Sequence, residues 1–377
     1  MYQPFIFKLP NVTFNNKTIT IDKDNVEMSS IRPYPLFTMG FHSFLHRTRN
    51  GMDITKNLQT KTDFYYVVNP FENKISNYEE DIISSTKKYL KTNNDYSNDF
   101  QKIWEILFAF NMTSNNQTIQ ILGSGELEEC VKLFKEKTNK TISKDKFVSE
   151  KESKNNSCDL IINNYKKKVD DNNYLEQESY QELLEIIISI MKNLSDKGNV
   201  ILQIYDTFTI PTIKLIYILQ SCFDEAYIYK SYMSRHSDNE KYLVLKNFKL
   251  QKTDVIKGLE HANKNLDKKK YLIDIFPELL LTKEYLNIYK FINIRLINIQ
   301  QIMINEIIKY IKENNYFGDK YHGFRDKQIE STQFWINNFY PPSETIYEKN
   351  KEDLGKVYKT IQEKLNLECS KFLELLI

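Results

Sequence analysis

The sequence lacks an excess of either charge. Its 377 residues include 52 Lys and Arg against 50 Asp and Glu, which leaves a formal net charge of +2. Bulk attraction to a nucleic acid or to a membrane surface is therefore excluded, and any such surface has to be a local patch. Hydrophobic residues make up 41% of the chain, enough for a large core.

Cysteine pairs and long apolar runs are also missing. No CxxC pair occurs among the four cysteines, which argues against a zinc cluster and fits buried thiols in a reducing compartment. His42 and His46 stand one helical turn apart without a third ligand at a familiar offset, so packing is favoured over metal binding. The start resembles no secretion signal, and no window of about 18 apolar residues is found. We expect a soluble, cytoplasmic protein without a membrane contact.

Periodicity divides the chain into four parts. Residues 1–97 mix short extended pieces with turns and are interpreted as an N-terminal extension. Residues 98–250 alternate strand and helix patterns, and residues 251–342 are largely helical. In residues 343–377 apolar side chains recur every three or four positions, which predicts a terminal amphipathic helix. Packing of this helix against its own domain and docking to a partner chain both remain open.

The segment 98–250 predicts an α/β fold with a Rossmann-like sheet and helices on both faces. The strand pattern of TIQIL is followed by the turn Gly123-Ser124-Gly125 and a helix, the opening unit of a parallel sheet. CDLIINN and NVILQIYD read as further buried strands. EAYIYKSY and KYLVLKNF are predicted to form an antiparallel hairpin.

The glycine turn, GNVILQIYD and YKSYMSRHSDNEKYLV together resemble the FtsJ-like RNA 2'-O-methyltransferases, especially those of large cytoplasmic DNA viruses. The resemblance extends over roughly residues 35–250 and more loosely to 340. It implies a methyltransferase sheet, S-adenosylmethionine as the methyl donor and capped mRNA as the substrate. It also implies a place of action in the host cytoplasm or in a viral factory, with the virion as an alternative.

The resemblance further implies a catalytic tetrad. A ribose 2'-hydroxyl is a poor nucleophile near neutral pH and has to be deprotonated beside the methyl donor. The family uses Lys-Asp-Lys-Glu for this step, and the matching positions here are Lys102, Asn164, Gln203 and Glu240. Two of the four positions therefore hold amides. Because an amide cannot take a proton and loss of a general base typically costs about 10²- to 10⁴-fold in rate, we expect little or no methyl transfer.

The cofactor site implied by the resemblance also departs from the family pattern. Gly123, Ser124 and Gly125 keep the shape of the cofactor-binding turn, but Ile121 stands where the family has an acid. For the ribose of the cofactor both Asp145 and Glu150 are candidates. The stretch between the glycine turn and the next long strand is short and polar, which predicts a reduced second strand.

We therefore expect a degenerate member of the family, without a bound cofactor, that binds capped mRNA or another viral protein. Arg235 and Lys241 are predicted to contact phosphate or ribose, and Tyr232 to stack on a base. One alternative is an active enzyme with a rearranged site, which would need S-adenosylmethionine. Another is a structural scaffold that docks through its terminal helix. The lysine runs at 166–168 and 268–270 are expected to be solvated loops, with RNA contact as the alternative.

Overall fold

The structure is a computed structural model, described here for the following residues: 5–14, 18–19, 25–33, 40–61, 65–138, 144–149, 152–164, 171–249, 253–313 and 318–340. The strands are β1 Phe5–Leu9, β2 Val26–Ser29, β3 Thr118–Leu122, β4 Lys146–Val148, β5 Cys158–Asn163, β6 Leu194–Ile204, β7 Phe223–Lys230, β8 Lys241–Phe248 and β9 Tyr271–Ile275. The helices are α1 Phe41–Gly51, α2 Ile82–Leu90, α3 Asn98–Phe110, α4 Glu126–Thr138, α5 Leu175–Glu178, α6 Tyr180–Asn193, α7 Ile210–Gln220, α8 Thr253–Lys264, α9 Lys283–Lys312 and α10 Asp319–Phe339. Short 3-10 segments cover Met52–Lys61, Tyr66–Val68 and Asn172–Tyr174.

Seven strands form the main sheet in the order β1-β7-β8-β6-β5-β3-β4. Strands β3, β4, β5 and β6 are parallel, whereas β8 runs antiparallel to both β6 and β7. The predicted Rossmann-like α/β fold and the hairpin of the last two strands are thus confirmed. The second parallel strand, β4, is only three residues long, as the short polar sequence between the glycine turn and β5 predicts.

Helices cover both faces of this sheet, because its central strands carry apolar side chains on both sides. Leu160 and Ile162 of β5 face the cluster that includes α3 and α4, whereas Ile161 faces the cluster that includes α6 and α7. The same alternation places Ile201 with α3 and Val200 with α6. Cys130, Cys158 and Cys222 are buried free thiols within these clusters, as expected, and Cys369 lies outside the described residues.

Two features differ from the expected organisation. Strand β1, in the part interpreted as an extension, pairs with β7 at the edge of the main sheet. Its side chains Ile6, Phe7 and Leu9 are buried, so β1 covers an edge that would otherwise present unpaired backbone groups. Strand β9, in the largely helical part, pairs with β2 to form a second small sheet. The two flanking parts therefore contribute strands of their own, and β1 extends the main sheet.

Several predicted features lie outside the described residues, namely the terminal helix of residues 343–377, the lysine run 166–168 and Glu150. Among the described helices, none is both long enough and apolar enough to span a bilayer. His42 and His46 pack edge to face with ring centroids 5.6 Å apart. The described part of the chain holds no group of three or more His, Cys, Asp or Glu arranged for a metal ion.

Candidate functional site

Three of the four tetrad positions meet at one end of the central strands β6 and β8. Ser97 caps α3, accepting a hydrogen bond from the backbone N–H of Asp99, and Lys102 follows in the first turns of this helix. In the antiparallel register of β6 and β8, Gln203 lies opposite Tyr242, so Glu240, just before β8, comes beside Gln203. The helix cap and the strand register together bring Lys102, Gln203 and Glu240 into one cluster.

Lys102 is held as an ammonium by two carboxylates. Its Nζ donates to Oε1 of Glu240 and, at 3.2 Å, to Oδ1 of Asp99. Burial alone would lower the pKa of Lys102, but the charges of Glu240 and Asp99 outweigh it and hold this pKa above its ordinary value. A lysine that acts as a general base needs the opposite shift. Lys102 is therefore placed to hold a charge and to donate hydrogen bonds, not to take up a proton.

Gln203 completes the cluster with one satisfied and one unsatisfied amide atom. Its Nε2 donates to Oε2 of Glu240 at 3.3 Å. Its Oε1 is buried and has no hydrogen-bond partner among the described residues. Because buried polar atoms are almost always paired, this oxygen stands out as an acceptor without a donor.

Asn164 lies next to this cluster but is joined to a different partner. It follows β5, and its backbone N–H donates to the carbonyl oxygen of Leu122 at 2.8 Å. Its side-chain Oδ1 accepts a hydrogen bond from the hydroxyl of Tyr242, also at 2.8 Å. A neutral amide thus faces a phenol here, and no described hydrogen bond links Asn164 to Lys102.

A cleft of about 560 Å³ opens beside these residues. Gln203 and Glu240 line its wall together with the aromatic side chains of Tyr66 and Tyr205. Its lining includes the cations Arg49 and Lys56 and four acidic residues, Asp53, Asp171, Asp238 and Glu240. The volume suits a small ligand or a single nucleotide, but the lining carries more negative than positive charges.

The three residues predicted to contact RNA occupy different positions. Arg235 is partly exposed and donates to both carboxylate oxygens of Glu72, at 2.7 and 3.1 Å. Its guanidinium also lies 3.5 Å from the ring centre of Tyr66, which lines the cleft. Arg235 is thus near the cleft, with its charge already matched by Glu72.

Lys241 and Tyr232 are buried, so the predicted roles of these two side chains do not match their positions. Lys241 is 4% exposed, and although burial lowers its pKa, the carboxylates of Asp206 and Glu176 act against this shift. The ring of Tyr232 packs against Phe71, with centroids 5.1 Å apart, and against two aromatic residues of α10. Neither side chain presents a face to a nucleotide, because Tyr232, two residues after β7, and Lys241, the first residue of β8, are both buried.

The glycine turn lies where the sequence predicts it, between β3 and α4. A Cβ atom at Gly123 would be 3.1 Å from Cδ1 of Leu127 and 3.4 Å from Cβ of Asn164, so the backbone here is packed closely. At Gly125 a Cβ atom would meet nothing within 4 Å. The turn is therefore open at Gly125 and occupied by protein atoms at Gly123.

At this turn the carboxylate of Glu126 is already bound by the protein, because it accepts hydrogen bonds from Ser97 Oγ and, at 3.3 Å, from Ser124 Oγ. Ile121 offers no carboxylate at the end of β3. Asp145, just before β4, accepts from Nζ of Lys135 at 2.5 Å and from the backbone N–H of Gln117 at 2.9 Å. Its position at the start of the strand, together with these two partners, does not suit the ribose of a cofactor. The described residues at this turn thus do not fit the methyl donor well.

Glu105 is a buried carboxylate that the sequence reasoning did not single out. It accepts hydrogen bonds from the hydroxyl of Tyr229, from Ser231 Oγ at 3.0 Å, from the N–H of Tyr232 at 2.8 Å and from Trp335 Nε1 at 2.9 Å. Helix α3, the segment after β7 and helix α10 are joined through this one side chain. In the sequence, the signal for this buried carboxylate was an acidic residue within the apolar face of α3, one turn after Lys102.

A second missed contact joins α1 to the sheet. Arg49 donates to both oxygens of Asp206, at 2.8 and 3.0 Å, and to Oε1 of Gln300 at 3.0 Å. Burial opposes the charged form of Asp206, but Arg49 and Lys241 outweigh it and lower the pKa of this carboxyl. Asp206 is the last residue of the sequence NVILQIYD, two positions after β6 ends. An acidic residue directly after this apolar run was the only sequence signal for the contact.

A mixed sheet with a glycine turn after β3, a terminal antiparallel hairpin and a Lys–Glu pair at one end of its central strands defines a methyltransferase type of Rossmann-like fold. Residues 110–248 match the family model described as FtsJ-like methyltransferase. The chain thus contains an FtsJ-like methyltransferase domain.

Similar proteins fall into two groups. The uncharacterized protein R383 of Acanthamoeba polyphaga mimivirus is 26% identical over 345 residues, which cover 90% of this chain and 91% of that protein. The cap-specific mRNA (nucleoside-2'-O-)-methyltransferase 1 of Caenorhabditis elegans is 25% identical over 142 residues, covering 36% of this chain and 14% of that protein. An inactive cap-specific mRNA (nucleoside-2'-O-)-methyltransferase 1B of Caenorhabditis briggsae is 28% identical over 102 residues, or 12% of its length. The likeness to the cap methyltransferases is therefore confined to a small part of those proteins.

Proposed function

We propose that this protein is a catalytically degenerate FtsJ-like methyltransferase that binds capped mRNA without methylating it, as a subunit of viral mRNA capping, transcription or translation. The observation that carries the proposal is the cluster of Lys102, Gln203 and Glu240. Its lysine is held protonated by carboxylates, and the position of the general base is an amide. A site of this kind can bind a ribose, but the amide at its general-base position cannot take the proton of the hydroxyl.

Lys230 is a further buried lysine near Glu240, and it does not replace the missing base. Burial lowers its pKa to about 8, a value suited to proton transfer. Its Nζ, however, donates to the carbonyl oxygens of Asp238 and Glu240 at 2.8 and 2.9 Å. Lys230 is also not among the residues that line the cleft of 560 Å³. Its contacts therefore support a role in fixing the segment that carries Glu240.

Two observations support RNA as the partner: the similarity of the domain to cap-specific mRNA methyltransferases, and the cleft. The relatives with named activities are cap-specific mRNA methyltransferases, and one of them is named inactive. The cleft beside Gln203 and Glu240 has the size of a nucleotide site and carries aromatic side chains, Tyr66 and Tyr205, at its wall.

Two measurements on the same protein test the proposal. Transfer of radiolabelled methyl groups from S-adenosylmethionine to a short capped RNA is expected to be absent, with an active cap methyltransferase as the control for substrate quality. Binding of the same RNA, followed by fluorescence anisotropy, is expected to be saturable. Incorporation that is lost in Lys102→Met would overturn the degenerate assignment, and an absence of RNA binding would overturn the binding function.

Strand β8 offers a matched pair of variants for the binding measurement. Glu240→Gln changes the residue just before β8 at the site, whereas Lys249→Met changes an exposed lysine just after the opposite end of the strand. We expect weaker RNA binding for the first variant and unchanged binding for the second. Equal affinities in both, with both variants folded by circular dichroism, would place the RNA elsewhere.

A further inference from the structure

We infer that Gln203 makes the site selective for an unmethylated ribose 2'-hydroxyl, which donates a hydrogen bond to the amide oxygen of this side chain. The inference rests on the proposed function, because it takes RNA as the ligand of the cleft. It goes further by stating which feature of the RNA is recognised and which atom recognises it.

The orientation of the Gln203 amide is fixed by Glu240. Nε2 donates to the Glu240 carboxylate at 3.3 Å. If the amide were turned over, its oxygen would face that carboxylate and two acceptors would be brought together. The oxygen therefore points away from Glu240 and, among the described residues, meets no donor.

The position of Gln203 limits where a donor can come from. The side chain is 6% exposed and lines two hollows, the cleft of about 560 Å³ with Glu240 and a much smaller one of about 50 Å³ with Glu176. A buried acceptor without a donor is unfavourable in the free protein, and a ligand that supplies one removes this unfavourable state on binding. The ligand group has to be a donor small enough to approach a nearly buried atom, a description that fits a hydroxyl.

Lys102 adds the second half of a hydroxyl site. Its ammonium donates to Asp99 and Glu240, which leaves one of its three hydrogens for another acceptor. Lys102 lines a smaller hollow of about 220 Å³ that shares Asp238 and Glu240 with the cleft. A ribose hydroxyl beside Glu240 has a donor for the oxygen of Gln203 and lone pairs for Lys102.

Methylation of the hydroxyl removes this match. A 2'-O-methyl oxygen still accepts a hydrogen bond but has no proton for Gln203, and its methyl group needs additional space. A 2'-deoxyribose offers neither donor nor acceptor. The chemistry of the site therefore ranks the unmodified ribose above both analogues, so the protein distinguishes RNA before 2'-O-methylation from RNA after it.

The experiment compares capped oligoribonucleotides that differ in one ribose at a time. Each of the first few nucleotides is given a 2'-hydroxyl, a 2'-O-methyl or a 2'-deoxy group, and the dissociation constant is measured by anisotropy. We expect one position at which both analogues bind about 10-fold more weakly, as expected for the loss of a hydrogen bond at a buried acceptor. The wild-type protein suffices for this arm, so the result does not depend on the folding of a variant.

A variant arm identifies the atom. Gln203→Met removes the acceptor and keeps a side chain of similar length, and we expect the ratio between the 2'-O-methyl and 2'-hydroxyl dissociation constants to fall to about one. Lys249→Met, after the far end of β8, is expected to keep the wild-type ratio.

The outcomes separate the two proposals. Tight but equal binding of all oligonucleotides, or a preference for the methylated one, overturns the selectivity while RNA binding stands. Selectivity that persists in a folded Gln203→Met protein overturns the role of this residue. Binding of none of the oligonucleotides overturns the proposed function together with the inference.

Discussion

The ammonium of Lys102 and the carboxylate of Glu240 form a buried ion pair between helix α3 and the segment that precedes β8. The two side chains are only 6% and 9% exposed. Because Lys102 and Glu240 are 138 positions apart in the chain, the pair fixes the distance between two elements that the backbone does not join directly. The pair therefore combines a structural role with its place in the candidate site.

Removal of one partner of this pair is expected to destabilise the protein. Glu240→Gln leaves Lys102 with Asp99 as its remaining carboxylate partner, at 3.2 Å. Breaking a buried pair typically costs about 3–5 kcal/mol, and because Asp99 remains we expect about 2 kcal/mol for this variant. The free energy of unfolding from urea titrations measures the effect.

An exposed pair on α4 provides the control for this prediction. Lys132 and Glu128 are 52% and 45% exposed, and Glu128→Gln is expected to change the free energy of unfolding by less than about 0.5 kcal/mol. If Glu240→Gln were as mild as Glu128→Gln, the ion pair with Lys102 would not hold α3 to the sheet.

Local sequence patterns were sufficient for the central strands of the sheet and for helix α3. The apolar runs around Ile161 and Ile201 predict buried strands, and a helical spacing predicts α3 with Lys102 near its start. The positions of Lys102, Gln203 and Glu240 could be taken from the resemblance because each lies inside a recognisable motif. Their meeting in the structure follows from the register of β6 and β8.

Side-chain direction was the part that the sequence could not supply. A basic or aromatic residue in a polar segment is typical of a surface, yet Lys241 and Tyr232 point inward. Lys241 interacts with the charges of Asp206 and Glu176, and the backbone N–H of Tyr232 donates a hydrogen bond to Glu105. These partners come from distant parts of the chain, and a single sequence without known contacts does not reveal them.

Glu176 makes the stability of the fold depend on pH. Burial raises the pKa of this carboxyl from 4.5 to about 7, although hydrogen bonds from Thr212, from the N–H of Phe208 and from Thr209 oppose the shift. A raised folded-state pKa means that the folded protein binds the proton more tightly than the unfolded chain. The resulting stabilisation is fully present below about pH 4.5 and is lost as the pH rises towards 7.

The expected loss between pH 5 and pH 8 is about 2 kcal/mol in the free energy of unfolding. Glu176→Gln carries no titrating group and is expected to remove this part of the pH dependence. Urea titrations of both proteins at the two pH values measure the difference. Parallel pH profiles of the two proteins would show that Glu176 keeps an ordinary pKa in the folded state.

Two helical glycines test how the N-terminal part packs on the domain. Gly258 lies in α8, where an added Cβ atom would be 2.5 Å from Cγ2 and 2.9 Å from the backbone oxygen of Ile19. Gly323 lies in α10, where it would meet nothing within 4 Å. Because both positions are helical, alanine gains about 1 kcal/mol of helix propensity at each, and the packing alone differs.

We therefore expect Gly323→Ala to raise the free energy of unfolding by about 0.5–1 kcal/mol and Gly258→Ala to lower it by about 1–3 kcal/mol. Thermal or urea unfolding of the two variants measures both changes. Stabilisation by Gly258→Ala would mean that the segment around Ile19 does not rest on α8.

The charges around the cleft predict a weak salt dependence of RNA binding. Arg49 is paired with Asp206, Arg235 with Glu72, and the lining of the cleft holds more carboxylates than cations. Few positive charges are thus available for phosphates, and recognition has to depend on hydrogen bonds to ribose and on stacking. The logarithm of the association constant falls with the logarithm of salt by about 0.7 for each phosphate contacted on a single strand. With at most about two such contacts, we expect a slope between zero and about −1.5 over a roughly tenfold range of KCl concentration.

A slope steeper than about −4 would contradict this expectation, because several phosphates would then be neutralised by a surface outside the cleft. The exposed lysines at positions 268, 269 and 270, in the turn before β9, are the candidates for such a surface. Replacing all three with alanine would then flatten the slope, whereas for binding in the cleft this variant keeps the wild-type affinity and slope. The salt series thus distinguishes a site that recognises the ribose from a surface that attracts the backbone of any RNA.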